Sequence, residues 1–259
     1  MAARLVALLP TLLALLASAC ARDPAPAPDP DRSRPALESN SADGDADNVL
    51  RQAAEQARES GDVQAEIETL RELTARLPDD AALHFRLGTL LIDGQLPAAA
   101  VPHLRRVIEI RGKDRPASMA LVYALQMHGR FDDAAAELER MKAWAASPEP
   151  HVRLGWLHLH RGRLDAARTE FEAALDRWPV DSGARIGLGA LLREQGELEP
   201  SRAILEEAAQ LPNSSAQVHY QLGLTYRALG DSVKARQAMA RYERSGGGPA
   251  VPRWSRGGE

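Results

Sequence analysis

Apolar residues recur at helical spacing along most of this chain, and the pattern itself returns every 34 residues. A leucine–glycine pair stands at Leu87–Gly88, Leu154–Gly155, Leu188–Gly189 and Leu222–Gly223. In three of these copies a second glycine follows at Gly162, Gly196 or Gly230, then a small residue at Ala167, Ser201 or Ala235, then an apolar one at Phe171, Leu205 or Met239. The intervals of three and four between apolar positions predict amphipathic helices in pairs. The second glycine is expected to end the first helix of each pair, because it accepts a left-handed backbone. Extending the register gives six copies, starting near Asp47, Ala81, Arg115, Pro148, Ser182 and Ala216, with one step of 33 residues between the third and fourth. The first copy keeps Gly61, Leu70, Leu73 and Pro78, and the third keeps Gly129, Phe131 and Ala134. The second is the loosest: Gly94 falls one residue early, and Pro97 and Pro102 predict that its second helix starts late or bends.

The fourth copy, HVRLGWLHLHRGRLDAARTEFEAALDRWP, resembles the tetratricopeptide repeat, whose pattern is W-x2-L-G-x2-Y, then A-x3-F, then P. The resemblance covers roughly residues 47–244. It implies an all-α, right-handed superhelix, an α-solenoid of about six helix-turn-helix repeats. A glycine or alanine midway along each first helix is expected to let its neighbour approach closely. No hairpin can bury its apolar stripe alone, so each is expected to lean on the next.

A second apolar face is the main functional signal. In the fourth copy Val152, Trp156 and Leu159 lie opposite Leu154 and Gly155 on the same helix, where one stripe would suffice. The matching positions are Phe85, Thr89 and Ile92 in the second copy, and Met119, Tyr123 and Gln126 in the third, with Met127 beside them. The fifth copy continues with Ile186, Ala190 and Arg193, and the sixth with Tyr220, Leu224 and Arg227. The first has Arg51, Glu55 and Arg58, a polar face suited to an end cap. In tetratricopeptide proteins these positions line the concave surface where peptides or helices dock. The resemblance therefore implies a partner-binding groove, apolar in its middle and basic toward Arg193 and Arg227. Two other readings stand beside it: the same side chains pack on one another, or the glycine-rich tail carrying Trp254 fills the groove.

The ends of the chain add an address. Arg4, an apolar run and Ala17-Ser18-Ala19 read as a secretory signal peptide over residues 1–19, too short to span a bilayer comfortably. Leu16 to Cys20 also resembles a bacterial lipobox, although its large aliphatic residue stands one place early; Cys20, the only cysteine, would then be lipidated. Residues 20–46 are read as a disordered Pro/Ala/Asp linker, and residues 245–259 as a flexible tail. The sorting rules of Gram-negative lipoproteins imply an outer-membrane protein facing the periplasm; cleavage at Ala19 would instead leave it soluble there.

Composition narrows the chemistry. A formal charge of −4 gives no global basic field for nucleic acid, and a body without thiol has no cysteine nucleophile or thiolate metal site. HExxH, paired CxxC, phosphate-binding glycine loops and G-x-S-x-G are absent. His84, His151 and His219 share one repeat position in alternate copies and are read as packing. No catalytic, cofactor-binding or metal residue, no cofactor and no small-molecule substrate is expected. The expected role is an envelope scaffold or assembly factor that binds an extended or helical apolar segment of a partner protein, with the membrane reached through the lipid alone. Six repeats behind a lipid anchor resemble type IV pilus pilotins. The alternative is an accessory subunit of a periplasmic cell-wall hydrolase, protease or cytochrome-maturation system, with the active site on the partner.

Overall fold

The computed structural model describes residues 36–212 and 214–246, with side chains from Asp43 onward. Two compact units are distinguished, Met1–Ala46 and Asp47–Glu259. The described residues form twelve α-helices and no strand: α1 Ala36–Ser60, α2 Val63–Arg76, α3 Ala81–Asp93, α4 Pro97–Arg111, α5 Arg115–Met127, α6 Phe131–Lys142, α7 Glu149–His160, α8 Leu164–Arg177, α9 Ser182–Glu194, α10 Leu198–Ala209, α11 Gln217–Ala228 and α12 Ser232–Arg244. Six helical hairpins thus occupy the six expected copies.

Two differences from the sequence reading concern boundaries. Helix α1 begins at Ala36, so the last residues assigned to the linker are helical. Extending an existing helix fixes one residue per hydrogen bond gained, far less costly than nucleating one. The signal peptide, Cys20 and Trp254 lie outside the described residues. Helix α4 starts at Pro97, in step with the other second helices rather than late. Pro97 occupies the first turn, where a missing N–H is harmless, and the helix runs on through Pro102 to Arg111.

The turns explain the punctuation. Gly61, Gly129, Gly162, Gly196 and Gly230 all take φ between 68° and 83° at the end of a first helix. In the second repeat Gln95, not Gly94, takes this role with φ of 59°. Asp62, Asp80, Asp114, Asp181 and Asp231 cap the following helices; the Asp181 carboxylate accepts from the Ala184 N–H at 2.7 Å.

Close approach within each hairpin depends on the midway glycine. A Cβ on Gly88 would stand 2.8 Å from Leu104, one on Gly155 2.5 Å from Phe171, one on Gly189 2.5 Å from Leu205 and one on Gly223 2.9 Å from Met239. The third repeat has Val122 there, buried with Leu138 in one core cluster. First helices also touch across repeats, α3 with α5, α7 with α9 and α9 with α11, but α5 and α7 make no comparable contact. These repeats are joined by α6 packing on α7, with Leu138, Met141, Leu154 and Leu157 in one core, and by a charged network: Glu170 on α8, mostly buried, accepts from Lys142 on α6 and bonds to His151 Nδ1 on α7, both at 2.8 Å.

Candidate binding groove

The expected wall divides into three parts. On α3 and α5, Phe85, Met119, Tyr123 and Met127 are half-buried and rest on the core that runs from α1 to α7. Ile92 is only 9% exposed and belongs to that core. Gln126 also turns inward, buried with its Oε1 unpartnered, and Met127 takes the outer place beside it.

On α7, Val152, Trp156 and Leu159 are half-buried. The Trp156 ring stacks on His160 at 5.9 Å and meets Phe171 edge-on at the same separation. It packs against the clusters of Phe171 and of Ile186, separate from the cluster that holds Phe85 and Tyr123. Ile186 is 2% exposed, so it supports Trp156 from beneath and is not available to a partner. The structure thus joins Phe85 with Tyr123 but seats Trp156 on a different foundation.

The third part is the basic end. Arg193, Glu194, Leu198, Leu224, Arg227 and Ala228 line an open hollow of about 440 Å³ between the ends of α9 and α11. Arg193 donates to Gln221 Oε1 at 2.5 Å and to Glu194 Oε1 at 2.8 Å, which fixes its guanidinium. Arg227 is exposed and makes no ion pair among the described residues. An arginine already held in place beside a free one, over two leucines, suits a carboxylate carried on an apolar segment. Tyr220 is not part of this hollow: its ring lies 5.5 Å from Tyr242 on α12, so it braces the last hairpin. Leu198, Glu194 and Gln221 escaped the sequence reading. Leu198 is the first residue of α10, two beyond the turn glycine Gly196.

His84, His151 and His219 are taken up inside the hairpins. His84 Nδ1 lies 3.0 Å from His103 Nδ1, and its Nε2 lies 3.2 Å from the Pro78 carbonyl. Donation from Nε2 to that carbonyl leaves the His84 Nδ1 to accept from His103. In the fourth repeat Glu170 holds the place of His103 and bonds His151; in the sixth Ala238 stands there, and the buried Nδ1 of His219 has no partner. Among the described residues no group of three or more His, Cys, Asp or Glu side chains could hold a metal ion. No helix among them is long and apolar enough to cross a membrane.

One tetratricopeptide-repeat family model matches residues 51–116 and 152–216, just over half of the chain, and a second matches residues 217–244. The chain belongs to the tetratricopeptide-repeat family. Residues 117–151, the repeat with Val122 in place of glycine, fall outside both matches. Among curated proteins the chain is 26% identical over 209 residues to cellulose synthase operon protein C of Xanthomonas axonopodis pv. citri, covering 77% of this chain. It spans only 14% of that relative's length. Among solved structures, a tetratricopeptide repeat protein from Parabacteroides merdae superposes with a TM-score of 0.64 at 16% identity, over 78% of this chain and 80% of that one. PilW, a type IV pilus biogenesis factor, gives 0.56 at 14% identity, over 77% and 93%. These likenesses establish an all-α tetratricopeptide solenoid. Such repeats are generally non-catalytic protein-interaction scaffolds.

Proposed function

We infer that the repeat body captures a segment of a partner protein along the wall of Phe85, Met119, Tyr123, Met127, Trp156 and Leu159. The segment is apolar for most of its length and carries a carboxylate that meets Arg193 and Arg227. The observation behind this reading is the half-exposed state of these aromatic and methionine side chains on helices that already bury a separate stripe. Tyrosine and tryptophan are effective anchors, since each combines a large apolar area with a polar tip.

The setting in this reading is the bacterial envelope, with the chain held by lipid at Cys20 and acting as a scaffold or assembly factor. Support comes from the signal-like opening, the single cysteine beside it, and the likeness to a type IV pilus biogenesis factor. The identity to a cellulose synthase operon protein favours a second reading, an accessory subunit of an envelope enzyme whose active site lies on the partner. Co-purification of a synthase or hydrolase would select the second; co-purification of a pilus component would select the first.

Photo-crosslinking from position 156 in intact cells, read by mass spectrometry, identifies the partner. Tyr123→Asp with Met127→Asp is then expected to abolish capture of that partner while helicity persists, and Arg193→Ala with Arg227→Ala to weaken it. Undiminished capture by the aspartate variant would end the groove reading. Palmitate incorporation that disappears in Cys20→Ser is expected of the anchor; no incorporation into the unmodified chain would remove it.

A further inference from the structure

The side chains of α12 divide sharply around its axis. Ala235, Ala238 and Tyr242 are buried, the Tyr242 ring lying 5.5 Å from Tyr220 on α11. Val233, Arg236, Gln237, Ala240, Arg241 and Arg244, three or four residues apart, are exposed on the other side. Arg236, Arg241 and Arg244 make no ion pair among the described residues. Arginines of the preceding repeats such as Arg86, Arg115 and Arg161 are instead paired with carboxylates of other helices. Lys234 lies 3.5 Å from the Asp231 carboxylate, and Glu243 is the one acidic residue within the helix.

The charge continues along the sequence. Residues 232–259 hold six basic and two acidic side chains, a net of +4 in a chain whose total is −4, so residues 1–231 carry −8. Two of the six, Arg253 and Arg256, flank Trp254. Asymmetry of this kind points to a polyanionic partner. The form of the face selects which one. A protein helix laid on α12 would need an apolar seam, as where Leu205 and Ala208 of α10 share a core cluster with Val218 and Leu222 of α11. The apolar residues of α12 are already buried, and Val233, 54% exposed, is the one large apolar side chain on its outer side. A row of unpaired arginines without a seam fits a broad negative surface, to which each charge adds without any register. Tryptophan beside arginine suits the edge of a bilayer, where an amphipathic ring sits at headgroup level.

We propose that the outer face of α12, with the arginines that follow it, rests on an anionic lipid surface. A basic patch and an acyl chain reinforce one another in holding a protein to a membrane, so this contact would add to a lipid at Cys20. Being electrostatic, it weakens as salt screens the surface. The proposal is independent of the groove, and its failure would leave the groove reading untouched.

The test is flotation of the full chain carrying Cys20→Ser, so that no acyl chain contributes. Vesicles of phosphatidylcholine mixed with phosphatidylglycerol are compared with vesicles of phosphatidylcholine alone. Binding to the anionic vesicles is expected to be more than about tenfold tighter at about 50 mM salt, and the difference to vanish at about 500 mM. Arg236→Glu, Arg241→Glu and Arg244→Glu together are expected to weaken it by more than about tenfold while helicity persists. If that variant loses helicity, the corresponding glutamine variant is expected to weaken binding in the same direction. Equal binding to both kinds of vesicle, or anionic binding unchanged in a well-folded α12 variant, would overturn the proposal. Retention on immobilised poly-glutamate without binding to the anionic vesicles would also overturn it, and would select an acidic protein instead.

Discussion

The three repeats before the α6–α7 connection and the three after it share one register but close in different ways. The later three have glycine at the midway position, Gly155, Gly189 and Gly223, and the second helix drives a side chain into the space left by each missing Cβ. The earlier three have Ala54, Gly88 and Val122, and their core is one continuous cluster reaching from α1 to α7. At the border, first helices α5 and α7 do not meet as α3 and α5, α7 and α9, and α9 and α11 do, and a charged network adds to the packing of α6 on α7. The stacking geometry is therefore set locally, by how much room one small residue leaves.

Phe171 is the largest wedge on the later side, fully buried and close to both Gly155 and Gly187. Phe171→Ala is expected to cost about 3–5 kcal/mol, because the rigid walls cannot collapse into the space. The measurement is urea unfolding, and a loss below about 1 kcal/mol would mean the later repeats close without the ring. Next in size is Gly187→Ala, whose new methyl would overlap the Phe171 ring. Overpacking of this kind costs about 1–3 kcal/mol, and Phe171→Leu in the same chain is expected to recover most of it. Additive losses in the double mutant would show that the two sites do not share the space.

Acid is expected to weaken both halves to a smaller degree. His103 in the earlier half is held below its ordinary value of 6.5 by burial, by His84 and by Arg71. Burial likewise lowers His158 and His219 in the later half. A depressed histidine favours the neutral form in the folded chain, so its contribution is fully present above about 6.5 and is lost as pH falls through the folded value. Melting temperature should drop as pH is lowered from about 7 to about 5, and His103→Gln should flatten part of that slope. An unchanged slope would mean His103 titrates alike in folded and unfolded chains.

The smallest effect is a gain. Gln95→Gly relieves a left-handed backbone that the other five hairpins give to glycine. It is expected to stabilise the second repeat by about 0.5–1 kcal/mol, less the added freedom of the unfolded chain. A loss would show that the Gln95 side chain contributes more than its backbone costs.

The architecture was legible because it is periodic: the leucine–glycine pair returns in four copies, the turn glycine in five and the helical spacing of apolar positions in all six, and each return tests the others. The turn of the second repeat shows the limit of that logic. Gly94 looked displaced, yet the geometry needed at residue 95 is imposed by the flanking helices, and Gln95 adopts it. Among groove residues, Tyr123, Trp156 and Arg227 kept an outward aspect, whereas Ile92, Gln126 and Ile186 did not. A helical wheel gives direction around one axis but not how far the neighbouring helix reaches across it. That reach is set by residues in other elements, and Gln126, expected outward, is buried on α5.

The edge-on meeting of Phe171 with Trp156 ties the interior of the fourth hairpin to its outer wall. A ring that fixes the spacing of α7 and α9 also sets the tilt of the indole above it. Substitutions made deep in the protein, touching no ligand, would then retune affinity at the surface. If the groove reading holds, evolution could adjust its preference by changing a residue that no partner ever meets.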